Sequence, residues 1–215
     1  MGELNYTLLS EGSSDQALIP VLGWLLSQCG VVMPMKAHWA DLTRLRRPPV
    51  GLSERISAAL DYYPCQLLFV HRDADRTPPE ARRREIQRAV QESSEQLAAA
   101  PPAIAVVPVR AQEAWFLFNE GCLRSAAGNP LGRVRLNLPR ITDLEAVPDP
   151  KGLLYSLLRE ASGLAGRRRR KLRVNVAVHR IAALAEDFSQ LRALPAFAVL
   201  ERDIAEIIAE RGWAE

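Results

Sequence analysis

Cysteine is scarce in this chain, and its three copies, Cys29, Cys65 and Cys122, lie far apart and are odd in number. That excludes a disulfide framework and leaves no CxxC pair for a structural zinc site. Their apolar neighbours predict buried free thiols. Histidine is as sparse: His38, His71 and His179 fall at no zinc-ligand spacing, and no Ser–His–Asp arrangement can be built on them. His71 stands nearest the acidic residues, but its place inside an apolar run predicts a structural role. Aromatic residues make up only 6% of the chain, which argues against a base-stacking platform for single strands. No apolar run approaches the ~18 residues of a membrane span. The start, MGELNYTLLSEGSS, lacks the basic segment and apolar core of a secretory signal. GNPLGR (128–133) contains glycines but not the P-loop pattern, so no NTP hydrolysis is expected. Together these absences predict a soluble, cytoplasmic protein with no membrane partner.

What is present is an ordinary globular composition: 215 residues, 48% hydrophobic and 25% charged. That suffices for one domain, or one domain with a small appendage. The net charge of +3 is too mild to name a partner. Arginine is nevertheless concentrated in three places: residues 44–47, residues 82–84, and the run Arg167, Arg168, Arg169, Arg170, Lys171.

Hydrophobic periodicity predicts strands over residues 4–10, 31–37, 66–71 and 104–109, the second weakened by Pro34. Helices are expected over 14–28, opened by Ser13 or Ser14, over 53–62, opened by Ser53, and over 78–99. Strand and helix thus alternate through the first half, the pattern of a mostly parallel four-stranded sheet with crossover helices. A helix over 113–119 should follow the last strand directly, with Trp115 and Phe116 in the core. Residues 128–150 lack any sustained period. Helical segments return over 152–162, 171–185 and 189–211, the last broken at Pro195. A soft boundary near residue 127 therefore separates a sheet-based part, 1–127, from a helical part, 128–215.

Two acidic clusters end apolar runs. In TLLSEGSSD, Glu11 and Gly12 make a turn and Asp15 opens a helix, whose N-terminus suits a phosphate. A carboxylate there can bind a metal or move a proton; equally, Ser13, Ser14 and Asp15 are ordinary cap residues. In LLFVHRDADR, alternation at a strand end can project Asp73 and Asp75 to one side, although Asp is also common in turns. Carboxylates converging on one sheet edge call for a cation, and an all-oxygen set suits Mg²⁺ or Mn²⁺. Glu113, just past the fourth strand, reaches the same edge, or serves as a helix N-terminal acid. Lys151, in DPKG, sits at a helix start where it can meet phosphate or stay solvated. Arg72 and Arg76 flank the aspartates, to contact phosphate or pair with the acids. The run from Arg167 to Lys171 reads as a clamp for a nucleic-acid backbone or a patch for an acidic protein.

The order of the two motifs, EGSSD after the first strand and HRDADR after the third, resembles the Toprim domain, the catalytic module of topoisomerases, primases and certain nucleases. Within that group the chain is similar to the Toprim-like domain-of-unknown-function family 4276, through VRAQEAWFLFNE (110–120), PDPKGLL (148–154) and EDFSQLRALPAFAVLERDI (186–204). The resemblance implies an α/β, Toprim/Rossmann-like core with a helical C-terminal part. It implies that Glu11 is the metal-site or acid–base carboxylate, that Asp73 and Asp75 ligate metal, and that Asp15 is the second acidic position of the first motif. Members of that family are associated with bacterial defence loci, commonly beside an ATPase. Two functions are therefore expected as alternatives. One is a Mg²⁺- or Mn²⁺-dependent nuclease, with Glu11, Asp73 and Asp75 catalytic. The other is a non-catalytic regulatory or binding subunit of an ATPase-containing defence complex. No tyrosine domain or nucleotide-polymerising region accompanies the motifs, which argues against topoisomerase or primase action.

Overall fold

The computed structural model describes residues 2–95 and 99–214. The fold is α/β: a four-stranded sheet, parallel throughout, flanked by helices and continued by a helical C-terminal part. The strands are β1 (Leu4–Leu9), β2 (Met35–Trp39), β3 (Leu67–His71) and β4 (Ala103–Val106), in the order β2-β1-β3-β4. Every residue of β3 is buried, as expected of an inner parallel strand covered on both faces, and this is why it reads as an unbroken apolar run.

β2 begins four residues later than the periodicity predicts. Pro34 cannot donate to a ladder, but its carbonyl accepts Leu4 N–H at 2.9 Å, and parallel pairing runs on from there to Leu8–Trp39. The apolar run at 31–33 is not in the sheet; Val31 instead forms an isolated antiparallel bridge with Ala214. β2 lies at the sheet edge, and its polar Lys36 and His38 suit that position.

α1 (Leu18–Gln28) packs on one face of the sheet, and α2 (Leu52–Tyr62) and α3 (Pro79–Ser94) on the other. The change of face follows from right-handed crossovers leaving β1 in opposite directions. It puts the topological switch point between the C-terminal ends of β1 and β3. α3 stops at Ser94, short of its expected end, of which residues 96–98 lie outside the described residues. The expected serine openings are replaced by carboxylates reaching back. Asp15 accepts the Gly12 N–H at 3.0 Å, and Glu54 accepts that of Gly51 at 3.4 Å. Residues 13–17 wind as a 3₁₀ turn before α1.

The helix expected over 113–119 is instead a 3₁₀ turn, Gln112–Phe116, followed by α4 (Glu120–Ala126), which Asn119 caps by accepting Cys122 N–H at 3.0 Å. α5 (Pro150–Ala161) starts at a proline and is capped by Asp149 on Gly152 N–H at 2.8 Å. α6 (Gly166–Arg170) is a short helix made of the arginine run itself, where a loop was expected. α7 (Val174–Leu184) and α8 (Pro195–Arg211) complete the chain; Pro195 opens α8 after a 3₁₀ turn, Ser189–Ala193. The three cysteines are free but half-buried, not fully buried as expected. Among the described residues no helix is long and apolar enough to cross a membrane.

One hydrophobic core spans both parts. Leu4, Tyr6, Leu8, Phe69 and Val106 on one sheet face pack in the same cluster as Leu154, Leu158, Ile181, Phe197 and Ile204 from the helical part. Trp115 is fully buried there, edge-on to Phe197 at 5.3 Å. The helical part also braces the sheet's working edge. α7 packs on the turn carrying Asp15, and α5 on the turn carrying Glu113.

Candidate metal and phosphate site

Beyond their last paired residues β3 and β4 remain joined. Arg72 N–H donates to Val106 O at 3.2 Å, Ala74 N–H to Pro108 O and Asp75 N–H to Arg110 O, both at 3.0 Å. This extension holds residues 71–74 in strand-like alternation. Ala74 is buried against α2 and α3, and Asp73 turns to the face that His71 occupies. At Asp75 the alternation ends, because its φ is +53°. Arg110, its hydrogen-bonding neighbour, is also left-handed at +64°. Two adjoining non-glycine residues in that conformation cost on the order of 1 kcal/mol or more each, and such strain clusters at functional edges. Asp75 is therefore exposed at the rim while Asp73 is half-buried.

The two acidic motifs meet through Gln112. Its backbone N–H donates to Asp73 Oδ1 at 2.8 Å, and its side-chain amide donates to Asp15 Oδ1 at 2.6 Å. Asp15 is buried, with Oδ2 on Gly12 N–H. His71 is also buried and lies between the aspartates, with Nε2 3.6 Å from Asp73 Oδ1 and 4.0 Å from Asp15 Oδ2. Burial pushes its pKa down, against the upward pull of Asp15. Asp73 is pushed up to about 8, first by burial and then by Glu113, Asp15 and Asp75, with the Gln112 N–H opposing.

Asp73, Asp75, Glu113 and Lys151 line one open cleft of about 590 Å³, together with Arg76, Arg82 and Arg110. Glu113 is 2% exposed, and its Oε1 lies 3.5 Å from Lys151 Nζ. Burial lowers the Lys151 pKa, but Glu113, Tyr155 and Asp73 outweigh it and hold the ammonium charged. Glu11 does not line the cleft. Its Oε1 accepts from both Nε and Nη2 of Arg72 at 2.8 Å, and Arg72 also bonds Glu85. Of the two roles open to Arg72, the structure shows pairing with the acids. Arg167, Arg168, Arg169, Arg170 and Lys171 are all exposed, and none has an ion-pair partner among the described residues. α5 separates them from Lys151 by its length of about 18 Å.

Sequence reading missed Gln112, the residue that ties the motifs together, and Arg82 and Arg110 on the cleft wall. Gln112 pairs with Asp15 across a separation of 97 residues, which no local pattern reports. The donor set fits a hard divalent cation: carboxylate oxygens crowd one sheet edge, and one of them is held far above its ordinary pKa. Among the described residues no three His, Cys, Asp or Glu side chains already stand at ligand spacing; Arg72 draws Glu11 aside, and Lys151 neighbours Glu113.

No protein-family model, no curated protein and no solved structure matches this chain. What can be stated of its class is an α/β fold with an acidic crevice at the switch point of a parallel sheet and a cationic wall facing it.

Proposed function

We propose that this chain is a Toprim-type, divalent-metal-dependent phosphodiesterase acting on DNA or RNA. The observation that carries the reading is the convergence of Asp15, Asp73 and Glu113 behind one cleft, with Asp73 destabilised as an anion by burial and by the acids around it. Asp73, Asp15 and Glu113 would hold Mg²⁺ or Mn²⁺, with Asp75 at the rim and Glu11 once its pairing with Arg72 opens. The ion supplies an activated water and neutralises charge on the phosphate. Lys151 offers its ammonium to a non-bridging oxygen, and Arg76, Arg82 and Arg110 receive the flanking phosphates. The resemblance to the Toprim-like family 4276 supports the same residues, and with them a place in anti-phage defence.

Incubation of the purified protein with single- and double-stranded DNA and RNA in Mg²⁺ or Mn²⁺ should give cleavage that EDTA stops. No cleavage of any of them with either ion overturns the reading; co-purification with an ATPase would then favour the regulatory-subunit alternative.

The exposed arginine run extends the binding surface. Replacing Arg167, Arg168, Arg169 and Arg170 by serine should weaken nucleic-acid binding at 50 mM salt and flatten its salt dependence. Each lost phosphate contact removes about 0.9 from the log–log slope. An unchanged slope in a binding titration across salt concentrations would take the run out of the interface.

A further inference from the structure

The imidazole of His71 has one committed nitrogen and one free one. Nδ1 lies 3.0 Å from Val106 O. A carbonyl only accepts, so Nδ1 carries the proton and Nε2 presents a lone pair. The ring is 2% exposed. Nothing donates to Nε2; it faces Asp73 Oδ1 at 3.6 Å and Asp15 Oδ2 at 4.0 Å. Three acceptor atoms directed at one point repel one another unless a cation lies between them. Gln112, which bonds both aspartates, adds a second unsatisfied acceptor, since its Oε1 is buried without a partner.

We propose that His71 Nε2 is a ligand of the divalent ion, forming with Asp15 and Asp73 a nitrogen–oxygen–oxygen set at the switch point. This rests on the metal-site reading above and goes beyond its all-carboxylate ligand set. Ligating histidines almost always donate their other N–H to a carbonyl or carboxylate, which fixes the tautomer and aims the ring; Val106 O does this here. Two ligands ~2.1 Å from an ion at a tetrahedral angle lie about 3.4 Å apart. The gap to Asp73 is near that spacing, and the gap to Asp15 closes by rotation of a short side chain. A nitrogen ligand also sets metal preference. Mg²⁺ favours oxygen and keeps its waters, whereas Mn²⁺ and later metals accept imidazole, so the site should prefer Mn²⁺ to Mg²⁺.

The test is pulsed electron paramagnetic resonance of the full chain loaded with Mn²⁺. A ¹⁴N modulation is expected, converting to the ¹⁵N pattern when only histidine is ¹⁵N-labelled; this needs no mutation of a buried residue. His71→Asn should remove the modulation and weaken Mn²⁺ binding by about 10-fold or more, leaving the Mg²⁺ affinity less affected. His38→Asn and His179→Asn should leave the signal intact. Mn²⁺ bound with no nitrogen coupling overturns the role of His71 while the carboxylate site stands. Absence of any Mn²⁺ binding overturns both.

Discussion

Asp73→Asn should lose metal-dependent cleavage by about 1,000-fold or more, the several kcal/mol a catalytic ion supplies, and yet yield a more stable protein at neutral and alkaline pH. Both effects have one cause. The carboxyl titrates near 3.8 when unfolded and at about 8 when folded. Between those values the folded chain keeps a proton that the unfolded chain has released, so stability falls as pH rises from about 4 to about 8. Asparagine is neutral throughout, and its Oδ1 can still accept the Gln112 N–H that Asp73 accepts. The variant therefore escapes that loss, with an advantage on the order of 2 kcal/mol by pH 8 for a partly solvated group. Urea midpoints in EDTA at pH 5 and pH 8 measure it. Mn²⁺ should raise the parent's midpoint at pH 8 and leave the variant's unchanged. A variant that still cuts at the parental rate would remove the metal from the mechanism. A parent whose advantage over the variant grows toward pH 8 would refute the account of Asp73.

The largest effect on folding is expected at Trp115. Its ring is fully buried, edge-on to Phe197 with an interplanar angle of 80°, and its Nε1 has no hydrogen-bond partner among the described residues. Truncation to alanine removes that packing and leaves a cavity, a loss of about 3–5 kcal/mol. Trp115→Phe should cost clearly less, because it keeps an aromatic ring and forfeits no hydrogen bond. Equal losses would mean that the indole N–H has a partner such as water. Because Trp115 anchors the turn that carries Gln112 and Glu113, the alanine variant should also lose cleavage at temperatures where it remains folded.

The inner strands were legible because parallel strands covered on both faces must be apolar throughout, as β1 and β3 are. Residues 31–33 satisfy the same criterion, yet the ladder lies on the more polar stretch after Pro34, because an edge strand needs backbone pairing more than it needs burial. The acidic motifs were visible in the sequence, and so was the option that Arg72 pairs with them. Which carboxylates converge was not. Glu11 and Asp15 look equivalent in EGSSD, but Asp15 points inward, tied to Gly12 and Gln112, while Arg72 holds Glu11 outside. That outcome depends on contacts spanning 61 and 97 residues. His71 was read as structural from its place in a strand. The buried ring and the Val106 bond bear that out for one nitrogen only.

The single core shared by the sheet and the C-terminal helices bears on how this chain can be divided. The sequence changes character near residue 127, which invites transplanting the first part as a catalytic cassette. Cut there, the sheet would present Leu4, Tyr6, Leu8, Phe69 and Val106 to water, an apolar face of the size that drives aggregation. The turns carrying Asp15 and Glu113 would lose α7 and α5 behind them. The acidic motifs are therefore portable as a pattern of letters but not as a piece of protein.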